Sequence, residues 1–161
     1  MAEEVREQWV MKFDGSFTTQ SRGVGVVLYL EEDKAIALSF KLEFPCSNNM
    51  AEYEAYLIGL ATTLEMRVKH LKVLGDSNLV VCQTKGSFSL KKPNLAPYRA
   101  MAQKMEERFL TFEIEHTPRN ENRFANSLAA LGSQIIFEGD STRVEINKRR
   151  ESIIEKLKER F

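Results

Sequence analysis

The chain has 161 residues, and its 23 basic and 23 acidic side chains give a net charge of zero. This length favours one domain with a buried core and a short appendage, and the neutral charge means that any nucleic-acid surface must be a local patch. There is no apolar run long enough to cross a bilayer and no signal-peptide pattern, so we expect no membrane partner and interpret the polar residues 1–8 as a leader or linker.

The first part of the chain has the alternating pattern of β-strands. Apolar and polar residues alternate in Trp9–Phe13 and Ile36–Phe44, and Val24–Leu30 is rich in β-branched and apolar residues. Asp14 and Gly15 are predicted to end the first strand in a turn. The third strand is predicted to have one buried face and one solvent-exposed face, so the three segments indicate an antiparallel meander.

Helical spacing begins near residue 48, where Asn48 or Asn49 can cap a helix with an apolar stripe from Tyr53 to Leu64. The order βββ-α-β-α-α-β-α predicts an α/β fold. Its five-stranded mixed sheet would combine the antiparallel meander with two parallel strands and carry helices on both faces. The later predicted elements are a strand at Leu71–Leu74, a short helix at Asn78–Gln83, a helix capped by Asn94, a strand at Phe112–His116 and a helix from about Asn120 to Leu131. The last helix is predicted to place Phe124, Leu128 and Leu131 inward and to stop at Gly132.

Residues 133–161 have a different character, and we interpret them as a C-terminal appendage or connector that follows a domain at residues 9–132. A turn at Gly139-Asp140-Ser141 precedes a short strand pattern at Val144–Ile146. The charged segment that follows could place its apolar residues on one helix face. These apolar residues are Ile153, Ile154, Leu157 and Phe161.

The two cysteines, Cys46 and Cys82, are far apart and form no CxxC motif. Two scattered cysteines do not make a disulfide framework, so we expect reduced thiols. A reducing compartment predicts an intracellular protein, either cytoplasmic or nuclear.

Three acidic residues fall at the ends of predicted elements. Asp14 follows a strand, Glu52 begins a helix and Asp76 ends a strand. Each alone has an ordinary structural explanation in turn chemistry, a favourable charge at a helix N-terminus, or helix capping. Strand ends in an α/β sheet are where ligands usually bind, and three converging carboxylates would repel one another unless cations held them together. Carboxylate ligands of this kind suit Mg²⁺ or Mn²⁺.

Four motifs together resemble type 1 RNase H. They are D-G-S at 14–16, N-N-x-x-E at 48–52, G-D-S at 75–77 and H-x-P-R-x-x-N-x-x-A at 116–125. The set is most similar to the RNase H domains of plant gypsy-type retrotransposon polyproteins and to the related proteins often called reverse-transcriptase-like. The resemblance covers roughly residues 8–132 and is specific as a combination. It implies an RNase H-like fold and hydrolysis of the RNA strand of RNA–DNA hybrids.

By this resemblance, Asp14, Glu52 and Asp76 correspond to the first three metal-binding, catalytic carboxylates of the family's DEDD tetrad. The fourth position is occupied by Asn126, where the family has an aspartate. Asparagine keeps a carbonyl oxygen but loses one negative charge, so metal affinity and activity are expected to be weakened or lost. Natural loss and deliberate substitution would both produce this residue.

The family mechanism is two-metal hydrolysis, in which one ion positions and deprotonates a water and the other stabilises the leaving 3′ oxygen. The resemblance implies that Asp14 bridges both ions and that Glu52 and Asp76 hold the leaving-group ion. Asn126 would then be the second protein ligand of the nucleophile ion. His116 matches a catalytic histidine that helps turnover, the alternative being a strand-end histidine with no role.

Nucleic-acid contacts are also implied by the resemblance. Asn48, Asn49 and Asn78 match positions that contact 2′-hydroxyls and bases in the minor groove, with helix capping as the alternative. Residues 77–105 contain basic side chains and no acid. This stretch is a candidate phosphate patch, with a solvated basic face as the alternative. The residues assigned to it are Lys85, Lys91, Lys92 and Arg99.

Three hypotheses follow from the sequence. The leading one is an endonuclease for RNA–DNA hybrids that uses two Mg²⁺ or Mn²⁺ ions, is weakened at Asn126, and belongs to a retroelement polyprotein with neighbouring polymerase or integrase domains. The second is a nucleic-acid-binding module that has lost catalysis. The third is a structural spacer whose tail docks other polyprotein domains. Hybrid binding and hybrid cleavage distinguish them.

Overall fold

A six-stranded mixed sheet forms the centre of the structure, with the strand order β5-β4-β1-β2-β3-β6. The structure is a computed structural model that describes residues 7–17, 22–31, 34–84, 95–134, 144–149 and 152–161. The strands are β1 (Gln8–Phe17), β2 (Arg22–Glu31), β3 (Lys34–Leu42), β4 (His70–Gly75), β5 (Thr111–His116) and β6 (Val144–Arg149). The helices are α1 (Asn48–Glu65), α2 (Asn78–Thr84), α3 (Ala96–Glu106), α4 (Arg123–Gln134) and α5 (Ile153–Leu157), with a short 3-10 helix at Arg119–Glu121.

The pairing of the strands confirms the predicted fold. β1, β2 and β3 form the antiparallel meander, β4 lies parallel to β1, and β5 lies parallel to β4. The large core lies on the face covered by α1, α2, α3 and α5, whereas α4 covers the opposite face with a small separate cluster. The α/β architecture with helices on both faces of the sheet is therefore as the sequence indicated.

β1 does not end at Asp14, and the predicted turn at this point was wrong. The strand continues through Asp14 and Gly15, which pair with β2. Gly15 is required here because a Cβ atom would lie 2.9 Å from backbone atoms of Ala51 and Glu52 in α1. Asp14 is thus held inside a paired strand, with the N-terminal part of α1 lying directly against it.

The second face of β3, predicted to face solvent, is covered by α4. Ala37 is buried, and Ser39 is fully buried with its hydroxyl donating to the carbonyl of Leu128 at 2.6 Å. The alternation of apolar and polar residues was correct, but α4 covers Ala37 and Ser39 in the middle of this face, while Glu43 is exposed.

The inward face of α4 agrees with the prediction at Leu128 but not at Phe124, and the side chain of Leu131 lies outside the described part of the structure. Phe124 is 53% exposed, while Ala125 and Leu128 are buried. A Cβ atom at Gly25 would lie 2.4 Å from the carbonyl oxygen of Ala125, so α4 packs so closely on β2 that only glycine fits at position 25. The helix also continues to Gln134, past the predicted stop at Gly132.

The C-terminal segment belongs to the same folded unit as residues 9–132. β6 pairs in parallel with β3, so it extends the five-stranded core of the sheet. The predicted apolar face of the last helix is confirmed for Ile153, Ile154 and Leu157, which are buried in the large core. The predicted appendage thus contributes a strand and a helix, while its turn at 139–141 lies outside the described residues.

Other expectations concern the termini of elements and the cysteines. Cys46 is buried, Cys82 is partly buried, and both are free thiols. No helix within the described residues is long and apolar enough to cross a bilayer. Residues 1–6 of the predicted leader and the predicted cap Asn94 lie outside the described part of the chain, and α3 begins at Ala96 with Leu95 in the capping position.

Candidate active site

Three carboxylates meet at one edge of the sheet. Asp14 lies in β1, Asp76 directly follows β4, and Glu52 lies near the start of α1. Because β1 and β4 are parallel neighbours and α1 contacts Gly15, one oxygen of each carboxylate lies within 4.8 Å of the others. The convergence predicted from the sequence is therefore present.

The environment of Asp14 and Glu52 opposes their ionisation. Burial raises the pKa of Asp14 to about 6, and the nearby charge of Asp76 adds to the effect, while a hydrogen bond with Glu52 and the charge of Arg119 oppose it. Burial also raises the pKa of Glu52, and the charge of Asp14 raises it further. The backbone N–H of Gly15 donates to Oε1 of Glu52 at 3.1 Å. A cluster of this kind is stabilised either by protons or by cations.

Oxygen atoms in the cluster remain without hydrogen-bond donors. Oε2 of Glu52, Oδ1 of Asn122 and Oδ1 of Asn126 are buried and have no hydrogen-bond partner within the described residues. The side-chain amide of Asn126 donates to the carbonyl of Arg119 at 3.1 Å, which leaves its own oxygen available. Hard divalent cations take oxygen ligands of these types, so the donor set fits Mg²⁺ or Mn²⁺.

The cluster opens into a cavity of about 430 Å³. Two exposed or partly exposed asparagines, Asn48 and Asn49, line it together with Asn126. The cap of α1 is Ser47, whose hydroxyl accepts from the N–H of Met50 at 3.2 Å. Helix capping, the alternative explanation for Asn48 and Asn49, was therefore wrong, and both residues line the cavity.

Asn78, the third predicted minor-groove residue, is the first residue of α2. The start of this helix is capped by Ser77, whose hydroxyl accepts from the N–H of Val80 at 3.3 Å. The side chain of Asn78 lies outside the described part of the structure, so its contact with nucleic acid stays a prediction.

Two residues of the site were not assigned a role from the sequence. Asn122 is fully buried, and its amide donates to the carbonyl of Phe13 at 3.0 Å and to Asp76 at 3.3 Å. It therefore ties β1, at Phe13, to the third carboxylate. Arg119 lines the cavity, and its charge lowers the pKa of Asp14. Arg119 and Asn122 are the R and N of the H-x-P-R-x-x-N-x-x-A motif, and this motif is the sequence feature that could have identified them.

His116 is the last residue of β5 and lies beside Gly75 in the sheet register. Its side chain is exposed, and it is not among the residues that line the cavity. The structure thus places His116 one residue from Asp76 in register but outside the carboxylate cavity, and its part in turnover stays a prediction.

The structure removes one residue, Arg99, from the candidate phosphate patch. Arg99 is buried, pairs with Glu106 at 2.6 Å, and donates to the hydroxyl of Thr84 at 2.8 Å. A guanidinium engaged inside the protein cannot form part of a surface patch, so this assignment was wrong. The other three residues of the patch, Lys85, Lys91 and Lys92, lie outside the described residues.

The amino-acid sequence matches a known protein family. Residues 12–132 match the family described as reverse transcriptase-like. The chain belongs to this RNase H family. A ribonuclease HI of Halobacterium salinarum is 31% identical over 123 residues, which cover 73% of this chain and 60% of that protein. A bifunctional protein of Mycobacterium tuberculosis is 31% identical over 108 residues, covering 66% of this chain but only 30% of the relative.

Solved structures of RNase H1 proteins superpose well on this chain. The crystal structure of RNase H1 from Halobacterium salinarum has a TM-score of 0.72 at 26% identity and covers 78% of this chain and 96% of its own. LC11-RNase H1, crystallised in complex with an RNA/DNA hybrid, has a TM-score of 0.69 at 27% identity, with 76% and 94% covered. The resemblance to type 1 RNase H is confirmed, while the narrower similarity to plant gypsy-type polyproteins stays a prediction.

Proposed function

We propose that this chain is a metal-dependent endonuclease that hydrolyses the RNA strand of RNA–DNA hybrids. The observation that carries the proposal is the convergence of Asp14, Glu52 and Asp76 within 4.8 Å. This cluster lies on the sheet of an RNase H family member, and a relative of similar structure was crystallised with an RNA/DNA hybrid. The substrate class is therefore inferred from the family, and the chemistry is inferred from the carboxylates.

The residues that would hold the metal are the three carboxylates and the carbonyl oxygen of Asn126. Two bound Mg²⁺ or Mn²⁺ ions would supply Lewis acidity and lower the pKa of a bound water. The chain itself fixes the ligands in place. Asp14 is set in a paired strand, Glu52 is oriented by the N–H of Gly15, and Asp76 is oriented by the amide of Asn122.

The rest of the cavity is suited to positioning a ribonucleotide strand. Asn48 and Asn49 present side-chain amides at its border, where they could hydrogen-bond to 2′-hydroxyls and so distinguish RNA from DNA. Arg119 adds a cation beside the carboxylates, suited to a phosphate oxygen. His116 and the lysines Lys85, Lys91 and Lys92 are proposed to assist turnover and to bind phosphates, as the family resemblance implies.

Asn126 is the specific observation that favours a second candidate function. A neutral ligand at the fourth position removes one of four charges that the family uses to hold its ions. We infer as the alternative a catalytically impaired nucleic-acid-binding module of a retroelement polyprotein, which would act beside polymerase or integrase domains. In that case the chain would bind a hybrid without cutting it.

The deciding experiment is a gel assay on an end-labelled RNA–DNA hybrid, first with Mg²⁺ and then with Mn²⁺. The enzyme proposal expects metal-dependent cleavage products that end in 5′-phosphate and 3′-hydroxyl. The matched control is Asp14→Asn, which keeps the size of the side chain and should abolish cleavage without unfolding the protein. Cleavage by this variant at the original rate would show that the site is elsewhere. Binding without cleavage in either metal would favour the binding module.

A further inference from the structure

A second groove lies at the end of the molecule opposite the carboxylates. It encloses about 410 Å³, and its border includes Arg67, Lys69, Arg108 and Arg160, with Leu64 and Phe161 among its apolar residues. Lys69 precedes β4, whereas Asp76 follows that strand. Leu64 lies twelve residues after Glu52 on α1, which corresponds to about 18 Å along the helix at a rise of about 1.5 Å per residue. The two cavities are therefore separate.

The groove has an excess of positive charge. Arg160 pairs with Glu65 at 2.6 Å, but Arg67, Lys69 and Arg108 form no ion pair within the described residues. Arg67, Lys69 and Arg108 are also exposed. In a chain of zero net charge, three unpaired cations around one concavity create a local positive potential that attracts anions.

The cations are interleaved with apolar and aromatic surface. The guanidinium of Arg108 lies 4.9 Å from the ring centroid of Phe161, and that of Arg160 lies 5.8 Å from it. Leu110 is 72% exposed and donates its N–H to the carbonyl of Lys69 at 2.8 Å, which places it beside the groove. An anion that carries a flat apolar group would therefore find both kinds of contact at this surface.

Charge compensation at helix ends explains only part of this arrangement. α1 and α3 both end near the groove, and cations interact favourably with helix C-termini. The N–H groups of Met66 and Glu107 already bond to carbonyls in the last turns of these helices. Compensation accounts for the sign of the charge but requires neither an open cavity nor an aromatic residue in its wall.

We propose that this groove binds single-stranded nucleic acid. Phosphates would contact Arg67, Lys69 and Arg108, and a base would stack near Phe161. Proteins that bind single strands combine a cationic groove with aromatic side chains on which bases stack. An acidic peptide would satisfy the cations, but the guanidinium groups beside an aromatic ring favour the π-face of a base. The site is independent of the carboxylates, so it does not rest on hybrid cleavage.

The test measures fluorescence anisotropy of a fluorescein-labelled oligo-dT strand with the full chain in EDTA, where no metal-dependent cleavage occurs. Lys69→Glu and Arg108→Glu should each weaken binding about ten-fold and reduce its salt dependence. Phe161→Ala should weaken it about five-fold or more by removing the stacking platform. Lys104→Glu is the matched control. Lys104 is exposed on α3, and its substitution makes the same charge change outside the groove.

The outcomes separate binding from a structural role. The proposal requires the groove variants to lose affinity while their melting temperatures and hybrid cleavage rates stay at the level of the Lys104→Glu protein. Equal weakening by Lys104→Glu would overturn it, since binding would then follow total charge. Lower melting temperatures with unchanged affinity would also overturn it in favour of helix-end compensation. An acidic peptide that binds more tightly than the oligonucleotide would overturn the choice of ligand.

Discussion

At the scale of single residues, Asn126 is the residue on which we expect the strength of the proposed metal site to depend. Its amide is fixed by the carbonyl of Arg119, and its buried oxygen faces no donor within the described residues. The geometry of a ligand is therefore retained while the charge is lost. Mn²⁺ has greater affinity than Mg²⁺ for sites with mixed ligands, and Mg²⁺ demands nearly ideal octahedral geometry. Mn²⁺ should support more activity than Mg²⁺ in this chain.

Restoring the acid tests this account. Asn126→Asp should raise the Mg²⁺-supported rate of hybrid cleavage by about ten-fold or more, which corresponds to about 1.4 kcal/mol of transition-state stabilisation. The measurement is the single-turnover rate for both proteins at limiting Mg²⁺. Equal rates would show that a neutral carbonyl ligand is sufficient, and no cleavage by either protein would contradict the enzyme proposal.

Asp14 should give the proposed metal site a defined pH dependence. Its pKa is raised to about 6 by burial first and by Asp76 next, and a cation must displace the proton from this group. Metal affinity should therefore fall as the pH drops through about 6. The stability of the metal-free protein has the opposite pH dependence. A raised acid pKa stabilises the folded state at low pH, and this stability is lost as the pH rises.

The increase in melting temperature produced by Mn²⁺ measures this effect. We expect a clearly larger increase at pH 7.5 than at pH 5. In Asp14→Asn the increase should be smaller and should lose most of its pH dependence, while the metal-free variant should melt at a higher temperature than the original protein at pH 7.5. An identical Mn²⁺ effect at both pH values in the original protein would contradict the role of Asp14.

At the scale of elements, sequence patterns located the strands and helices but not their tertiary environment. Asp14-Gly15 has the local chemistry of a turn, yet pairing with β2 carries β1 through it. Phe124 fits the apolar periodicity of α4, but the close contact at Gly25 admits Ala125 instead. These outcomes depend on distances between elements that periodicity does not contain. The carboxylates were predictable because Asp76 follows β4 and Glu52 lies near the start of α1, and because Asp14 lies on β1 at the level where the parallel strand β4 ends.

The docking of the C-terminal segment depends on a buried charge that the sequence did not single out. Glu54 is fully buried on α1 and accepts from the N–H of Ile153 at 2.9 Å and from the hydroxyl of Ser152 at 2.6 Å. Burial raises the pKa of Glu54, although these donors oppose the shift. A carboxylate at the N-terminus of α5 thus replaces the backbone acceptor that the helix lacks.

Glu54→Gln should make the protein less sensitive to pH. The raised pKa means that Glu54 contributes stability below its ordinary value of 4.5, which is lost as the pH rises through the folded-state value. Glutamine keeps the acceptor oxygen and cannot ionise. The melting temperature of the variant relative to the original should therefore increase from pH 4.5 to pH 8 in thermal unfolding experiments.

The matched control for that comparison is Glu54→Ala, which removes the acceptor altogether. It should lower the free energy of unfolding by about 1–3 kcal/mol, because the buried donors of the segment lose their partner. A constant difference in melting temperature between Glu54→Gln and the original protein across this pH range would show that folding does not change the pKa of Glu54.

At the scale of the whole molecule, the neutral net charge conceals separate regions of opposite sign. Three acids gather at the carboxyl end of β4, and three cations that form no ion pair within the described part of the chain gather at its other end. A hybrid that approaches the acidic cavity needs a positive surface nearby, since phosphates dominate the affinity for nucleic acids. Arg99 is unavailable for this task because it is buried with Glu106. The predicted patch therefore depends on its lysines.

Charge reversal at Lys91 and Lys92 tests this distribution. If both lysines contact phosphates, Lys91→Glu/Lys92→Glu should weaken hybrid binding and reduce the slope of log K against log salt by about 1.8, at about 0.9 per contact. Binding is measured between 50 and 200 mM salt in EDTA, which excludes cleavage. Lys69→Glu serves as the control, because its groove lies at the far end of β4 and its single-strand site should not affect a duplex. An unchanged slope in the double variant would place the phosphate contacts elsewhere on the active-site face, with Arg119 and the asparagines at its border as the remaining candidates.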